Sequence, residues 1–275
     1  MIRFGSAPFS VEIYHRPGMV MGQSELRRFH QEILEVAKSC LSEIPYYQCL
    51  TGEVEQYRRL IIAVARDRQG RMMGFCSAYL LPVGEVGEVL HLGLTCVRPD
   101  ARGGGLTHKL TAKVVVGHLL RTSWLAPVWI SNVACVLSSL GNVGLHFEEV
   151  YPSPFLSAPS PEHVSIAKTI DEKFRWELLI AKDATFDEKN FVFRGSVKGN
   201  MFQKDEHDQR YRHREEWVNA FYAELMDFKN GDEVLQIGKI SFLAYPKHLL
   251  RGLKRRWGQG SQLVLEDGGE LAQNV

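Results

Sequence analysis

The run EVLHLGLTCV (residues 88–97) is followed by RPDAR, by three consecutive glycines, Gly103, Gly104 and Gly105, and then by LTHKLTAKVVVGHLL. Few folds accommodate that succession. Alternation in an extended chain puts Glu88, Leu90, Leu92 and Leu94 on one face and Val89, His91 and Gly93 on the other. Beyond the glycines, Leu106, Leu110, Val114 and His118 recur at four-residue spacing, as on one face of a helix. The glycines therefore sit where a strand hands over to a helix. They can serve as a tight turn, because glycine reaches positive φ without steric cost. They can also serve as an anion site, because the first amides of a helix lack partners and lie at the positive end of its dipole. Arg102 adds a fixed positive charge beside them.

The flanking sequence predicts a mixed α/β or α+β domain. After VEIYHR, a helix is expected from a Ser24 cap to about Leu41, with Leu26, Phe29, Ile33, Val36, Ala37 and Cys40 along one face. LIIAVARD and RMMGFCSAYLL, separated by Gln69-Gly70, read as a hairpin. VWISNVAC reads as a buried strand, a short Gly- and Ser-containing helix follows, and FEEVYPSP contributes a late strand. PSPFLSAPSPEH has the composition of a connector. Beyond it, FRWELLIA, NFVFRGSV and DEVLQIGKISFLAY read as strands. A helix from about Asp208 to Phe228 would carry Trp217, Phe221, Leu225 and Phe228 on one face.

Composition narrows the class. A formal net charge of +1 over 275 residues gives no reason to expect a nucleic-acid partner. No apolar run reaches the roughly 18 residues of a membrane span, and MIRFGSAPFSVEIYHR lacks a secretory signal's apolar core. A cytoplasmic protein is expected. Cys40, Cys49, Cys76, Cys96 and Cys135 are odd in number and mostly embedded in apolar segments, as reduced packing thiols would be. The histidines and acids of KDEHDQRYRHREE match no metal-ligand spacing, so no metal is expected there.

The glycine turn is neither the G-x-G-x-x-G fingerprint nor a P-loop. Val97-x-Pro99-x-x-Arg102-Gly103-x-Gly105-Leu106, with Leu110 following, resembles motif A of the GCN5-related N-acetyltransferase (GNAT) superfamily. Thr107 departs from that motif at its last Gly/Ala position. The resemblance covers roughly residues 10 to 155. It implies a central, mostly antiparallel twisted sheet flanked by helices and a binding site for acetyl-CoA or another acyl-CoA. It further implies direct acyl transfer to a small-molecule or peptide amine. Arg102, Gly103, Gly104, Gly105, Leu106 and Thr107 would hold the pyrophosphate. Thr95, Cys96 and Val97 would border the pantetheine arm and supply an oxyanion donor where the sheet splays.

The same resemblance places a general base near Glu88 or His91, with Glu88 preferred, because an ammonium of pKa ~10.4 must lose a proton before attack. The tyrosine that usually protonates the thiolate is missing. Ser139 or Asn142 stands at its position, and only Tyr151 is near. A longer acyl chain on an acyl carrier protein is an alternative donor, and a catalytically silent binding domain or a homodimer is compatible with the sequence. The expected organisation is an acyl-CoA-binding domain at 1–160, an extension at 161–260 packed on or continuing it, and a flexible tail at 261–275. HLLRGLKRRW reads as a capping helix or as a basic face for an anionic partner.

Overall fold

The computed structural model describes residues 9–122 and 126–242; HLLRGLKRRW and residues 261–275 lie outside the described residues. Strand β1 (Ser10–His15) leads through a single helical turn, α1 (Pro17–Val20), into α2 (Gln23–Lys38). The apolar stripe of α2 is as predicted, with Leu26, Phe29, Ile33, Val36 and Ala37 buried. Its start differs: Gly22 occupies the cap without a side-chain bond, and the helix stops at Lys38, short of Leu41. A second short turn, α3 (Val54–Tyr57), precedes the hairpin of β2 (Leu60–Arg66) and β3 (Met72–Val83). Next come β4 (Gly87–Val97) and α4 (Leu106–Thr122), then β5 (Val128–Ala134), α5 (Leu137–His146) and β6 (Glu148–Tyr151).

The later chain departs more from expectation. The connector reading of PSPFLSAPSPEH runs too far: its last three residues open α6 (Pro161–Lys173), capped by a reciprocal Ser160–His163 box. FRWELLIA is a run of turns. Arg175 explains this: its guanidinium donates to the carbonyls of Ala181, Lys182 and Ala184, so the backbone is satisfied locally rather than in a ladder. Two short strands, β7 (Thr185–Asp187) and β8 (Val192–Arg194), form a ribbon. The predicted long helix is only α7 (Glu216–Leu225), and it buries Val218 and Tyr222 while Trp217 stays 42% exposed. EWVNAFYAEL is apolar on several sides, so the pattern alone did not select the face. Strand β9 (Glu233–Ile240) completes the chain described.

The strands form one mixed, mostly antiparallel sheet in the order β1-β2-β3-β4-β5-β9-β8-β7, with β6 also paired to β9. The fold class expected from the resemblance is thus observed. β9, from the far end of the chain, runs antiparallel along all of β5, from Val128↔Ile240 to Ala134↔Val234. Helices α2 and α6 cover one face, over Ile62, Val64, Phe75, Leu81, Val89, Leu235 and Ile237. Helix α4 covers the other, over Ile61, Ala63, Leu80 and Leu90, and α5 and α7 continue that layer. Leu110 and Val114 are fully buried on α4, each contributing about 1.5–3 kcal/mol of apolar burial. All five cysteines are free thiols.

Candidate functional site

The site begins with an interruption of the strand predicted to alternate throughout. β3 and β4 pair as Ala78↔Leu92 and then as Cys76↔Thr95, so two residues of β4, Gly93 and Leu94, oppose the single Ser77. This bulge reverses the parity of the strand. Leu90 and Leu92 face α4, whereas Leu94 joins the apolar cluster on the α2 face. The alternation expected through Leu94 therefore ends at the bulge. Gly93 is required there, because a Cβ would lie 2.9 Å from both the Ser77 and the Tyr47 hydroxyl.

At the same place β4 parts from β5. Their parallel pairing covers only Leu90↔Ile130, His91↔Ser131 and Leu92↔Asn132. Asn132 is then tied to the next strand, its amide donating to Gln236 Oε1 at 3.1 Å, while Gln236 donates to Tyr222 Oη at 2.7 Å. β5 is thus held to β9 as β4 diverges. The gap opens into a cavity of about 590 Å³ lined by Gly93, Leu94, Thr95, Asn132 and Val133 at its waist.

One end of the cavity reaches Thr107 and His108 on the first turn of α4, where it meets a hollow of about 220 Å³. That hollow is lined by Val97, Arg102, Gly103, Gly105, Leu106, Thr107 and His108. Gly103 and Gly105 have φ of +87° and +69°, which side-chain-bearing residues rarely adopt. Gly104 has no such constraint, and a Cβ on it would meet nothing within 4 Å. The first hydrogen bond into α4 runs from the Lys109 amide to Gly105 O at 3.2 Å. The amides of Leu106, Thr107 and His108 therefore have no acceptor within the helix. Arg102 is fixed by an Nε bond to Val97 O at 3.1 Å and lines the hollow.

The other residues singled out from sequence are dispersed. Thr95 lines the cavity, Val97 lines the hollow, and Cys96 is buried in the cluster under α2. Glu88 is not among the lining residues; Arg16 Nη2 donates to both its carboxylate oxygens, at 2.6 and 2.7 Å. Tyr151 packs edge-on against Phe191, and its hydroxyl donates to Lys189 O at 2.5 Å, so it does not fold back to the cavity. His91 does line it, with Nδ1 3.0 Å from Ser131 Oγ. Burial pushes the His91 imidazole down to about 3, which keeps it neutral. Ser139 and Asn142 also line the cavity.

Sequence reasoning missed Glu233. This first residue of β9 is 8% exposed and lines the cavity. It has the parity of Leu235 and Ile237, which belong to the cluster under α2 and α6, as His91 has the parity of Val89 in that cluster, so the two stand on the same face. Ser196 Oγ donates to its Oε2 at 2.6 Å. Burial pushes its carboxyl up to about 7, against the opposing pull of the Ser196 bond. DEVLQIG gave no hint beyond the acid's place at the head of an apolar strand. Among the described residues no group of three His, Cys, Asp or Glu side chains is placed to hold a metal ion, and no helix is long and apolar enough to cross a membrane.

No family model and no curated protein matches the chain. Solved structures do. A GNAT-family N-acetyltransferase from Escherichia coli in complex with CoA is 12% identical, covering 49% of this chain and 67% of that one, with a TM-score of 0.28. A ribosomal-protein-alanine N-acetyltransferase from Brucella melitensis is 18% identical over 45% and 80%, with a TM-score of 0.30. An aminoglycoside acetyltransferase from a soil metagenome is 12% identical over 42% and 73%, also at 0.30. All three descriptions are of acetyltransferases, the kind of protein whose motif the glycine turn resembles.

Proposed function

We propose that the protein is an acyl-CoA-dependent N-acyltransferase that moves an acetyl group directly from acetyl-CoA to a primary amine. The observation that carries this reading is the parting of β4 from β5, which joins the anion cradle on the α4 side to a cavity reaching the α2 side. That cradle has what a phosphate needs: the first turn of α4, with its unpartnered amides, Gly103, Gly105 and Arg102 border it, and Gly104 between the two glycines adds no side chain to the turn. The β4 edge released from β5 can pair with the pantetheine amides as a peptide pairs with a sheet. The thioester carbonyl would then lie in the gap beside Gly93, Leu94 and Thr95, whose backbone supplies the oxyanion donor.

On this reading the amine meets the thioester from the His91 face. Neutral His91, oriented by Ser131, offers one ring nitrogen toward the acceptor. Ser139 and Asn142 on α5 supply donors for the departing sulfur, and a thiolate of pKa ~8.5 needs little more assistance. Calorimetry with CoA and acetyl-CoA, followed by thiol release in the presence of an amine panel, tests the proposal. Micromolar CoA binding that is lost in Arg102→Glu is expected. Failure of the unaltered protein to bind either compound would refute the reading.

A further inference from the structure

We infer that Glu233, at the far end of the cavity from the glycine turn, is the carboxylate that binds the ammonium group of the acceptor and takes its proton. This rests on the transferase reading for the donor and on separate observations for the acceptor. The sequence between α6 and β9 builds this end of the cavity, with Leu178, Leu179, Val197 and Phe202 as apolar walls. In those walls Glu233 is an anomaly. A carboxylate with this little exposure is ordinarily paired with a cation, because removing it from water is expensive. Among the described residues none forms an ion pair with it. Its Oε2 has the Ser196 hydroxyl, and its Oε1 takes no hydrogen bond among them.

The charged and titratable neighbours from each packed element do not supply the missing cation. Lys204 lines the same cavity, but its ammonium donates to Met201 O at 2.7 Å and lies over the Tyr211 ring at 5.3 Å. Cys135, at the end of β5, donates to Phe202 O at 3.1 Å, and burial pushes its thiol up to about 12, so it stays neutral. His91 stays neutral as well. The position is thus arranged for a cation brought by a ligand. The apolar walls specify the remainder of that ligand, and the acceptor class is a primary alkyl- or arylalkylamine without an acidic group.

The chemistry balances. The ammonium gives one proton to Glu233, leaving a neutral amine and a carboxylic acid. The nitrogen lone pair forms the C–N bond to the thioester carbonyl. The C–S bond then breaks, with its electron pair leaving on sulfur. The acylated nitrogen loses its second proton to that thiolate, and Glu233 returns its own proton to water. A carboxyl titrating near the working pH can serve both as anion for binding and as base.

The test uses 2-phenethylamine and n-hexylamine as probes, titrated calorimetrically into the free and the CoA-loaded protein at pH 7.5, with glycine, a zwitterion that carries its own carboxylate, as the control. The proteins are the unaltered chain, Glu233→Gln and Glu233→Asp. Glu233→Gln keeps the shape and the Ser196 bond, and CoA binding monitors its integrity. The unaltered chain should bind at least one amine in preference to glycine. Glu233→Gln should weaken that binding at least 10-fold with CoA affinity unchanged, and Glu233→Asp should retain part of it. With turnover, Glu233→Gln should also erase the acid limb of the kcat/KM profile near pH 7. Absence of amine binding to the unaltered chain, or equal binding by Glu233→Gln, overturns the inference. Failure of CoA to bind strikes the transferase reading instead, because the amine arm on the free protein judges Glu233 independently.

Discussion

The two ends of the cavity are built from different materials. At the glycine turn the contacts are backbone amides from a few consecutive residues, open to solvent, with one arginine pinned beside them. At Glu233 they are side chains brought together from β5, β9 and the segment around Ser196, enclosed in apolar walls. Main-chain amides recognise any phosphate and tolerate sequence change around them. A buried carboxylate imposes a charge requirement and destabilises the protein while it waits for a partner. On the proposed reading the difference is a division of labour, with the first end suited to a donor common to many reactions and the second to one chosen acceptor.

The sharpest break in that comparison comes from Gly104→Val. Nothing in the protein opposes a Cβ there, so thermal stability should be unaltered, while a branched side chain on the turn beside the hollow should weaken CoA binding about 100-fold (about 3 kcal/mol, the worth of one or two hydrogen bonds to charge). Tight CoA binding by this variant would show that the anion does not approach the backbone.

Glu233 should reveal itself in stability next. Its folded-state value of about 7 lies above the ordinary 4.5, so the folded chain holds more protons between those values, and stability falls as pH rises through about 7. Glu233→Gln removes this dependence. Denaturant melts should show it gaining about 2–3 kcal/mol relative to the unaltered chain between pH 5 and pH 8. A flat difference across that range would mean that the carboxyl is not desolvated.

Two smaller effects mark what lies outside the cavity. Tyr151→Phe should lose only the bond to Lys189 O, about 1 kcal/mol by thermal melt, with kcat unchanged. Glu88→Gln should have the smallest effect of the four, at most about 1 kcal/mol, since it loosens a half-exposed pair with Arg16. A large fall in kcat for Glu88→Gln would restore Glu88 as the base and place the acceptor elsewhere.

The same division decides what could be read from the sequence. The α2 and α4 stripes and strands β2 to β5 were legible because each is encoded in its own periodicity. The glycine turn at the head of α4 was legible because its residues are consecutive. The bulge was hidden because it is a relation between β3 and β4: nothing within LHLGLTCV says that Gly93 and Leu94 together face one Ser77. Arg175 turned an apparent strand into turns through carbonyls six to nine residues away, and Leu178 beside it became a cavity wall. Glu233 acquires its burial from Ser196 and the 133–135 segment, so its role exists only in the folded sheet.

The antiparallel pairing of β9 along β5 has a consequence for how the molecule is made. β5 lies in the middle of the sheet, yet its neighbour is synthesised about a hundred residues later, after α5, β6, α6 and the β7–β8 ribbon. Until β9 emerges, β5 presents an open edge of unpaired amides and carbonyls, a surface on which another chain could pair. The gap between β4 and β5 cannot hold its shape in that interval, since β5 has nothing to anchor it away from β4. The donor cradle, by contrast, needs only the first half of the chain. If the proposed roles hold, a nascent protein would gain its grip on phosphate well before it could select an amine.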